Sequence, residues 1–533
     1  MHFHADKFQP LLKEVSMSKT QDIDTGRRQL LKGGAVMAAG FGAAIALPAT
    51  ASCDAVPEAF DEIVDVLVVG SGFAGMSAAL QAREVGVSVM VVDKMPVFGG
   101  NSTINGGAMA VAGSELQKQA GINDSVDEMV ADMMRAGRGM NDVEMLKLVC
   151  NGTAESCQWL IEHGVKWKPF VQHFGGHSIQ RVLQTVESSG AGIIRPLINA
   201  ARDKGVVMRN QTKLESFVKD LDGRVIGVEV REGFYFPNER TGKIRRIGAH
   251  RGVVMATGGF GRDIEYRMMQ LPELNNDLDS TNHAGATSEA LKQMMLLGAN
   301  PIHLDQIQLG PWASPDEKGF GTASQFNTIA TYPHGIVVDV RTGERFFNEL
   351  ADRKARADAI MTRRDEHGQP VYPIGFTNAE GASKAQTLDW GLKYKVISKA
   401  ETLDELAAIF GMPAKALKAQ VARWNEAVKN GVDKEFARPL QEAIVLDKGP
   451  WYAVRMWPKV HYCMGGVKVN TRSEVLHLVT NQAIPGLYAA GEATGGIHGA
   501  SRLGACAVAE GVVTGRNAGR NCAAAKAAVL KQA

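Results

Sequence analysis

Ile63-Val64-Asp65-Val66-Leu67-Val68-Val69 runs directly into Gly70-Ser71-Gly72-Phe73-Ala74-Gly75. The first seven residues are mostly β-branched and apolar, the pattern of a strand buried on both faces. The six that follow spell G-x-G-x-x-G. A helical pattern then runs from about Met76 to Val85, and Val87 to Val92 reads as a second strand ending at Asp93. This is the strand–turn–helix–strand context that a dinucleotide fingerprint requires. Gly70 permits the tight turn, Gly72 lets backbone approach a pyrophosphate, and Gly75 lets helix and strand pack closely. Asp93 stands about twenty residues on, where a carboxylate binds a ribose hydroxyl. An α/β fold with a Rossmann-like half follows.

The rest of the composition fits a large globular protein. The chain has 533 residues, 45% hydrophobic and 22% charged, with a formal net charge of +2. No charge excess points to nucleic acid. The six cysteines form neither C-x-x-C nor a zinc pattern, so no metal site is expected. After residue 60 nothing is apolar enough over about 18 residues to span a membrane. Before it, Arg27-Arg28 precede a weakly apolar stretch from Gly33 to Leu47 and the A-x-A pattern Ala49-Thr50-Ala51. Residues 1–51 therefore read as a twin-arginine signal peptide, with Met17 a more usual start than Met1. Export by that machinery to the periplasm is the expectation; a lipoprotein through Cys53 is the weaker alternative.

Gly99-Gly100-Asn101-Ser102 and Gly106-Gly107 form a second glycine-rich patch, too close to Asp93 for the next helix of a simple nicotinamide domain. With Val253–Phe260 (V-V-M-A-T-G-G-F) and Gly486–Glu492 (G-L-Y-A-A-G-E), this resembles the large FAD-binding superfamily. The resemblance implies FAD as cofactor, with Glu492 near the ribityl chain. It extends the cofactor wall to Ala74, Lys94, Ala256, Thr257, Gly258, Gly285, Arg502, Ala505 and Ala507. Thr281–Thr287 resembles the loop that brings backbone to the flavin; His283 there either touches FAD or caps the next helix. Asp222-Gly223-Arg224 separates two alternating runs and reads as a structural hairpin.

Three further motifs make the resemblance specific. They are His461-Tyr462-Cys463-Met464-Gly465-Gly466, His498-Gly499-Ala500-Ser501-Arg502-Leu503-Gly504, and Arg345-Phe346-Phe347-Asn348-Glu349 followed by Asp352-Arg353. Most of residues 60–520 is similar to the flavoprotein part of soluble fumarate reductases of the flavocytochrome c type. It is also similar to urocanate, methacrylate and cinnamate-type reductases. The resemblance makes His461 and Arg502 a carboxylate clamp, with Gly504 beside it, and Arg353 the proton donor. A guanidinium fork matches two carboxylate oxygens. Arg356 is read as solvated or salt-bridged.

The chain departs from the fumarate pattern at two places. Q-x-H-P-T becomes Gln308-Leu309-Gly310-Pro311-Trp312, and the Glu and Arg of T-E-A-V-R are absent from Thr328–His334. The second carboxylate site is therefore missing and Trp312 offers an aromatic wall. The expected substrate is a monocarboxylate 2-enoate such as urocanate, an arylacrylate or methacrylate. Tyr332, His334 and Asp316 are contacts to its far end or a substitute proton path, although Asp316, in Ser314-Pro315-Asp316-Glu317, reads more simply as a turn residue. Hydride is expected from flavin N5 and the proton from Arg353. With no haem or FMN module recognisable, a separate periplasmic cytochrome c or other donor is implied, in anaerobic respiration. The domain order is a discontinuous FAD-binding domain, 54–304 and 461–533, with an inserted α+β capping domain at 305–460. The alternatives are a fumarate reductase proper, a 3-ketosteroid dehydrogenase-like flavoenzyme, or a non-catalytic flavin electron carrier.

Overall fold

The computed structural model describes residues 59–533; the signal-peptide reading and Cys53 lie outside them. The strand Glu62–Val69 is central in an eight-stranded sheet, where Val66, Leu67 and Val68 are fully buried. It pairs in parallel with Val89–Val92 on one side and Lys243–Met255 on the other. Val207–Arg209 extends one flank in parallel. Ala483–Ala489, from near the other end of the chain, extends the opposite flank in parallel with Lys243–Met255. The hairpin read at Asp222–Arg224 joins Thr212–Lys219 to Val225–Glu232, which continues antiparallel onto Lys243–Met255.

The helix Phe73–Glu84 leaves the glycine turn and packs against Cys506–Ala523. Contact is close because both surfaces are small. A Cβ on Gly515 would collide with Ala74 O, and one on Gly519 with Ala78 O. Gly70 itself, at φ +103°, sits so near Ala256 O that no side chain fits.

A second sheet is antiparallel and is built from residues 336–455, in the order Ile336–Val338, Ile374–Asn378, Trp451–Arg455, Ser398–Ala400. The apolar spacing read over 402–430 gives Leu403–Phe410 and Ala414–Asn430. Leu406, Leu417 and Trp424 pack with Phe376 and Trp451 in a core of their own. On either side of these residues in the chain, Ile307–Gly310 pairs antiparallel with Lys459–Cys463 as a two-stranded ribbon. Gln308 faces Tyr462 and Gly310 faces Lys459 across it. That pairing brings Gln308 and Gly310 beside His461. No helix among the described residues is long and apolar enough to cross a membrane.

Candidate active site and cofactor cradle

A continuous cavity of about 390 Å³ runs from the glycine turn to the ribbon. Gly70, Gly72, Ala74, Asp93, Lys94, Gly100, Asn101, Ser102, Gly106, Ala256, Thr257, Gly258, Gly285, Glu492, Ala505 and Ala507 all line it. Gly75 and Gly107 stand behind the wall, where a Cβ would collide with Gly70 O and Ser189 O respectively; they are packing positions. A Cβ added at Gly100, Gly106 or Gly258 would meet no protein atom within 4 Å, so open space adjoins these backbones. The N-cap of the helix starting at Phe73 is Gly72, which has no side chain; Ser102 Oγ accepts from Phe73 N–H at 2.9 Å, and the positive dipole end of the helix faces the turn. Asp93 is braced by the Ser71 N–H (3.0 Å), the Ser71 hydroxyl and Met95 N–H (2.9 Å). A carboxylate offers about four acceptor sites, so Asp93 keeps capacity for a ribose hydroxyl. Lys94 reaches the cavity but is ion-paired with Glu289 at 3.1 Å. His283 lines the cavity, and its Nδ1 accepts from Gly285 N–H at 3.2 Å. Glu492 accepts from Cys463 N–H at 2.9 Å, and burial pushes its carboxyl up to about 7. The open glycine cradle, the helix N-terminus behind it and the ribose acid fit FAD.

At the far end stand the residues expected to do chemistry. Arg353, Trp312, His461, Tyr462 and Arg502 all line the same cavity. Arg353 opens the helix Arg353–Met361, capped by Asp352. Its guanidinium lies 4.3 Å from the centre of the Trp312 ring, and its Nη1 donates to Gln308 Oε1 at 3.3 Å. Burial, then the charges of Arg502 and Arg356, hold Arg353 well below the usual arginine range. That direction eases proton release from a group that ordinarily keeps its proton.

His461 meets Trp312 edge to face at 4.8 Å, and its Nδ1 lies 2.7 Å from Thr281 Oγ1. Nε2 is left for the cavity. Burial and then the Arg353 and Arg502 charges push His461 well below its ordinary value, so the imidazole is neutral. Arg502 is buried, stacks 4.6 Å from the Tyr462 ring centre and donates from Nη1 to Leu503 O at 2.9 Å. Arg502 Nε and Trp312 Nε1 are buried without a protein partner. Gln308 ties the two arginine segments together, since its Nε2 donates to Arg502 O at 2.9 Å while its Oε1 accepts from Arg353.

The aromatic wall is formed by contact with the ribbon. A Cβ on Gly310 would lie 3.1 Å from Trp312 Cζ2, so the indole occupies the space a side chain at 310 would use.

Five expectations need correction. Tyr332 is buried outside the cavity wall, with its hydroxyl donating to Pro311 O at 2.8 Å. Arg356 is neither solvated nor salt-bridged. It is buried, stacks 4.4 Å from the Tyr332 ring and donates to Glu349 O at 3.3 Å. Asp316 is ion-paired with Arg455, and His334 Nδ1 lies 2.6 Å from Glu442 O; neither lines the cavity. Gly504 is behind the wall, packed under Phe174 and accepting from His177 Nε2 at 2.9 Å. Thr281 and Lys168 were not singled out from the sequence. Lys168 lines the cavity and bonds only Gln184 Oε1 (3.0 Å) and Ser188 Oγ (2.6 Å). Gln308 was readable as the retained first residue of Q-x-H-P-T.

The family model described as FAD binding domain matches residues 65–508. The chain belongs to this FAD-binding family. It is an FAD-dependent oxidoreductase of the fumarate reductase-like kind, acting on CH–CH groups. The acrylate reductase flavoprotein subunit of Shewanella woodyi is 47% identical over 498 residues, which cover 93% of this chain and 98% of that protein. Urocanate reductase of Eggerthella lenta is 34% identical over 473 residues, covering 88% and 76%. Among solved structures, the open conformation of a flavocytochrome c3 fumarate reductase matches with a TM-score of 0.68 at 30% identity, covering 96% of this chain and 82% of that one. A 3-ketosteroid Δ1-dehydrogenase from Sterolibacterium denitrificans matches at TM-score 0.69 but 21% identity, covering 87% and 100%, a likeness of fold alone.

Proposed function

We propose that the protein reduces the carbon–carbon double bond of a small monocarboxylate 2-enoate, with acrylate the first candidate. The observation that carries this reading is the Trp312 indole packed on Gly310, in the place where a dicarboxylate enzyme of this pattern has a second carboxylate ligand. The name and 47% identity of the acrylate reductase flavoprotein add weight. They move acrylate ahead of urocanate, arylacrylates and methacrylate.

FAD, when bound and reduced, supplies a hydride for the β-carbon. Arg502 holds the substrate carboxylate through its charge, and neutral His461 adds a hydrogen bond from Nε2. Together they offset negative charge that builds on the carboxylate as the double bond is attacked. Arg353 delivers the proton to the α-carbon. Residues 305–460 act as a mobile cap hinged at the Ile307–Gly310/Lys459–Cys463 ribbon, and closure excludes water. Electrons arrive from a separate carrier such as a cytochrome c. The setting is periplasmic and anaerobic, reached through the twin-arginine signal of residues 1–51.

The test is a panel of acrylate, methacrylate, crotonate, cinnamate, urocanate and fumarate, offered to FAD-loaded protein with reduced methyl viologen as donor. Turnover of a monocarboxylate with little on fumarate is expected. Fumarate as the best substrate overturns the reading.

A further inference from the structure

The short turn Gly137–Asp142 touches both arginine-bearing segments. Towards Arg502, Gly137 O accepts from Ala500 N–H at 3.0 Å, Asn141 Nδ2 donates to Ile497 O at 2.9 Å, and Asp142 N–H donates to Gly496 O at 2.8 Å. Towards Arg353, Arg138 Nη2 donates to Asp352 Oδ2 at 2.8 Å. Asp352 Oδ1 in turn caps the Arg353 helix at Lys354 N–H (3.0 Å) and Ala355 N–H (3.2 Å).

Arg138 stands at φ +57°, a left-handed conformation that residues with a Cβ disfavour, between two glycines. A glycine at 138 would meet the backbone demand without strain, so the side chain is what the position keeps. Arg138 Nη1 also donates to Arg135 O (3.0 Å) and Ala136 O (3.2 Å), which aims the guanidinium across the gap. The pair remains reachable from water, with 44% of the Arg138 side chain and 14% of Asp352 exposed, so it can part and reform.

We propose that Arg138 is a positioning residue: through Asp352 it latches the helix carrying Arg353 in register with the loop carrying Arg502. The effect on chemistry rests on the roles proposed above for those two arginines. The latch itself does not.

The test uses FAD-loaded protein in three variants. Arg138→Gly removes the guanidinium while suiting φ +57°. Asp352→Asn removes the charge but leaves a good helix cap. Arg138→Lys keeps a charge for Asp352. Arg138→Gly and Asp352→Asn are each expected to lower kcat about tenfold on the best substrate of the panel, the size of effect that loose placement of a catalytic group produces. FAD content and melting temperature should stay at wild-type values, and the double variant should be no slower than either single one. Amide hydrogen exchange in Arg353–Met361 should quicken in Arg138→Gly and stay near wild type in Arg138→Lys. Unchanged exchange in Arg138→Gly overturns the latch, as do single effects that multiply in the double variant. If Arg353→Ala itself retains turnover, the acid assignment falls, and the latch is judged by exchange alone.

Discussion

Replacing Gly310 by alanine probes the aromatic wall with a single methyl group. The added Cβ would stand 3.1, 3.2 and 3.4 Å from Trp312 Cζ2, Cη2 and Cε2. Ordinary carbon contacts lie at about 3.5–4.0 Å, so the indole must retreat by a few tenths of an ångström. It has little room, being 4% exposed and carrying Arg353 at 4.3 Å and His461 at 4.8 Å. Overpacking of this kind costs about 1–3 kcal/mol. A desolvated guanidinium–indole contact is worth up to about 2 kcal/mol. If about 1–2 kcal/mol of that is lost at the transition state, kcat falls about 5- to 30-fold. The assay is steady-state oxidation of reduced methyl viologen with acrylate, alongside FAD content and melting temperature. Trp312→Phe, with a smaller ring, should restore part of the loss when combined with Gly310→Ala. Gly310→His alone should gain no fumarate turnover, because the indole already fills the place; adding Trp312→Ala should be needed. Wild-type kcat and KM in Gly310→Ala would refute the argument that this contact shapes the site.

Arg353→Ala should lower kcat by about 10²–10⁴-fold with FAD still bound, as read by flavin absorbance. The proton donor must be charged, so activity is lost as pH rises through its pKa. Arg353→Lys should keep some turnover but lose it at lower pH than wild type, as a pH–kcat profile would show. Thr281→Val removes the 2.7 Å partner of His461 Nδ1; it should raise KM for the enoate about tenfold, the scale of one lost hydrogen bond, without changing FAD content. In FAD-free protein, a Glu492 carboxyl pushed from 4.5 to about 7 carries a penalty of about 3 kcal/mol. That penalty is absent below pH 4.5 and complete above about pH 7. Glu492→Gln should therefore flatten the fall in stability across that window in urea titrations.

The nucleotide half was legible because its signals are local. A buried strand, a glycine turn and an acid at fixed spacing are set by neighbours in the chain, and Glu62–Val69 to Val92 fold as read. The order of the later motifs placed Arg353, His461 and Arg502 on one cavity. What escaped depends on distant partners. Thr281 and His461 lie 180 positions apart. The packing of Trp312 on Gly310 needs a ribbon register that no periodicity specifies. Arg356 looked solvated because arginine usually is, yet Tyr332 and the Glu349 carbonyl give it a buried seat. Tyr332 fell to the same cause, its hydroxyl being taken by Pro311 O.

The packing of Cys506–Ala523 on Phe73–Glu84 also sets a timetable. A ribosome supplies the glycine turn more than four hundred residues before the helix that backs it, and Ala505 and Ala507 on the cavity wall come equally late. Domains ordinarily fold as they emerge, N-terminal part first; here the dinucleotide half must wait with one face of its first helix uncovered. Tight flavin retention is therefore a receipt for the arrival of that late helix. A product truncated before Gly515 should leave the ribosome colourless, and the yellow of the holoprotein reports that translation has passed the Cys506–Ala523 helix.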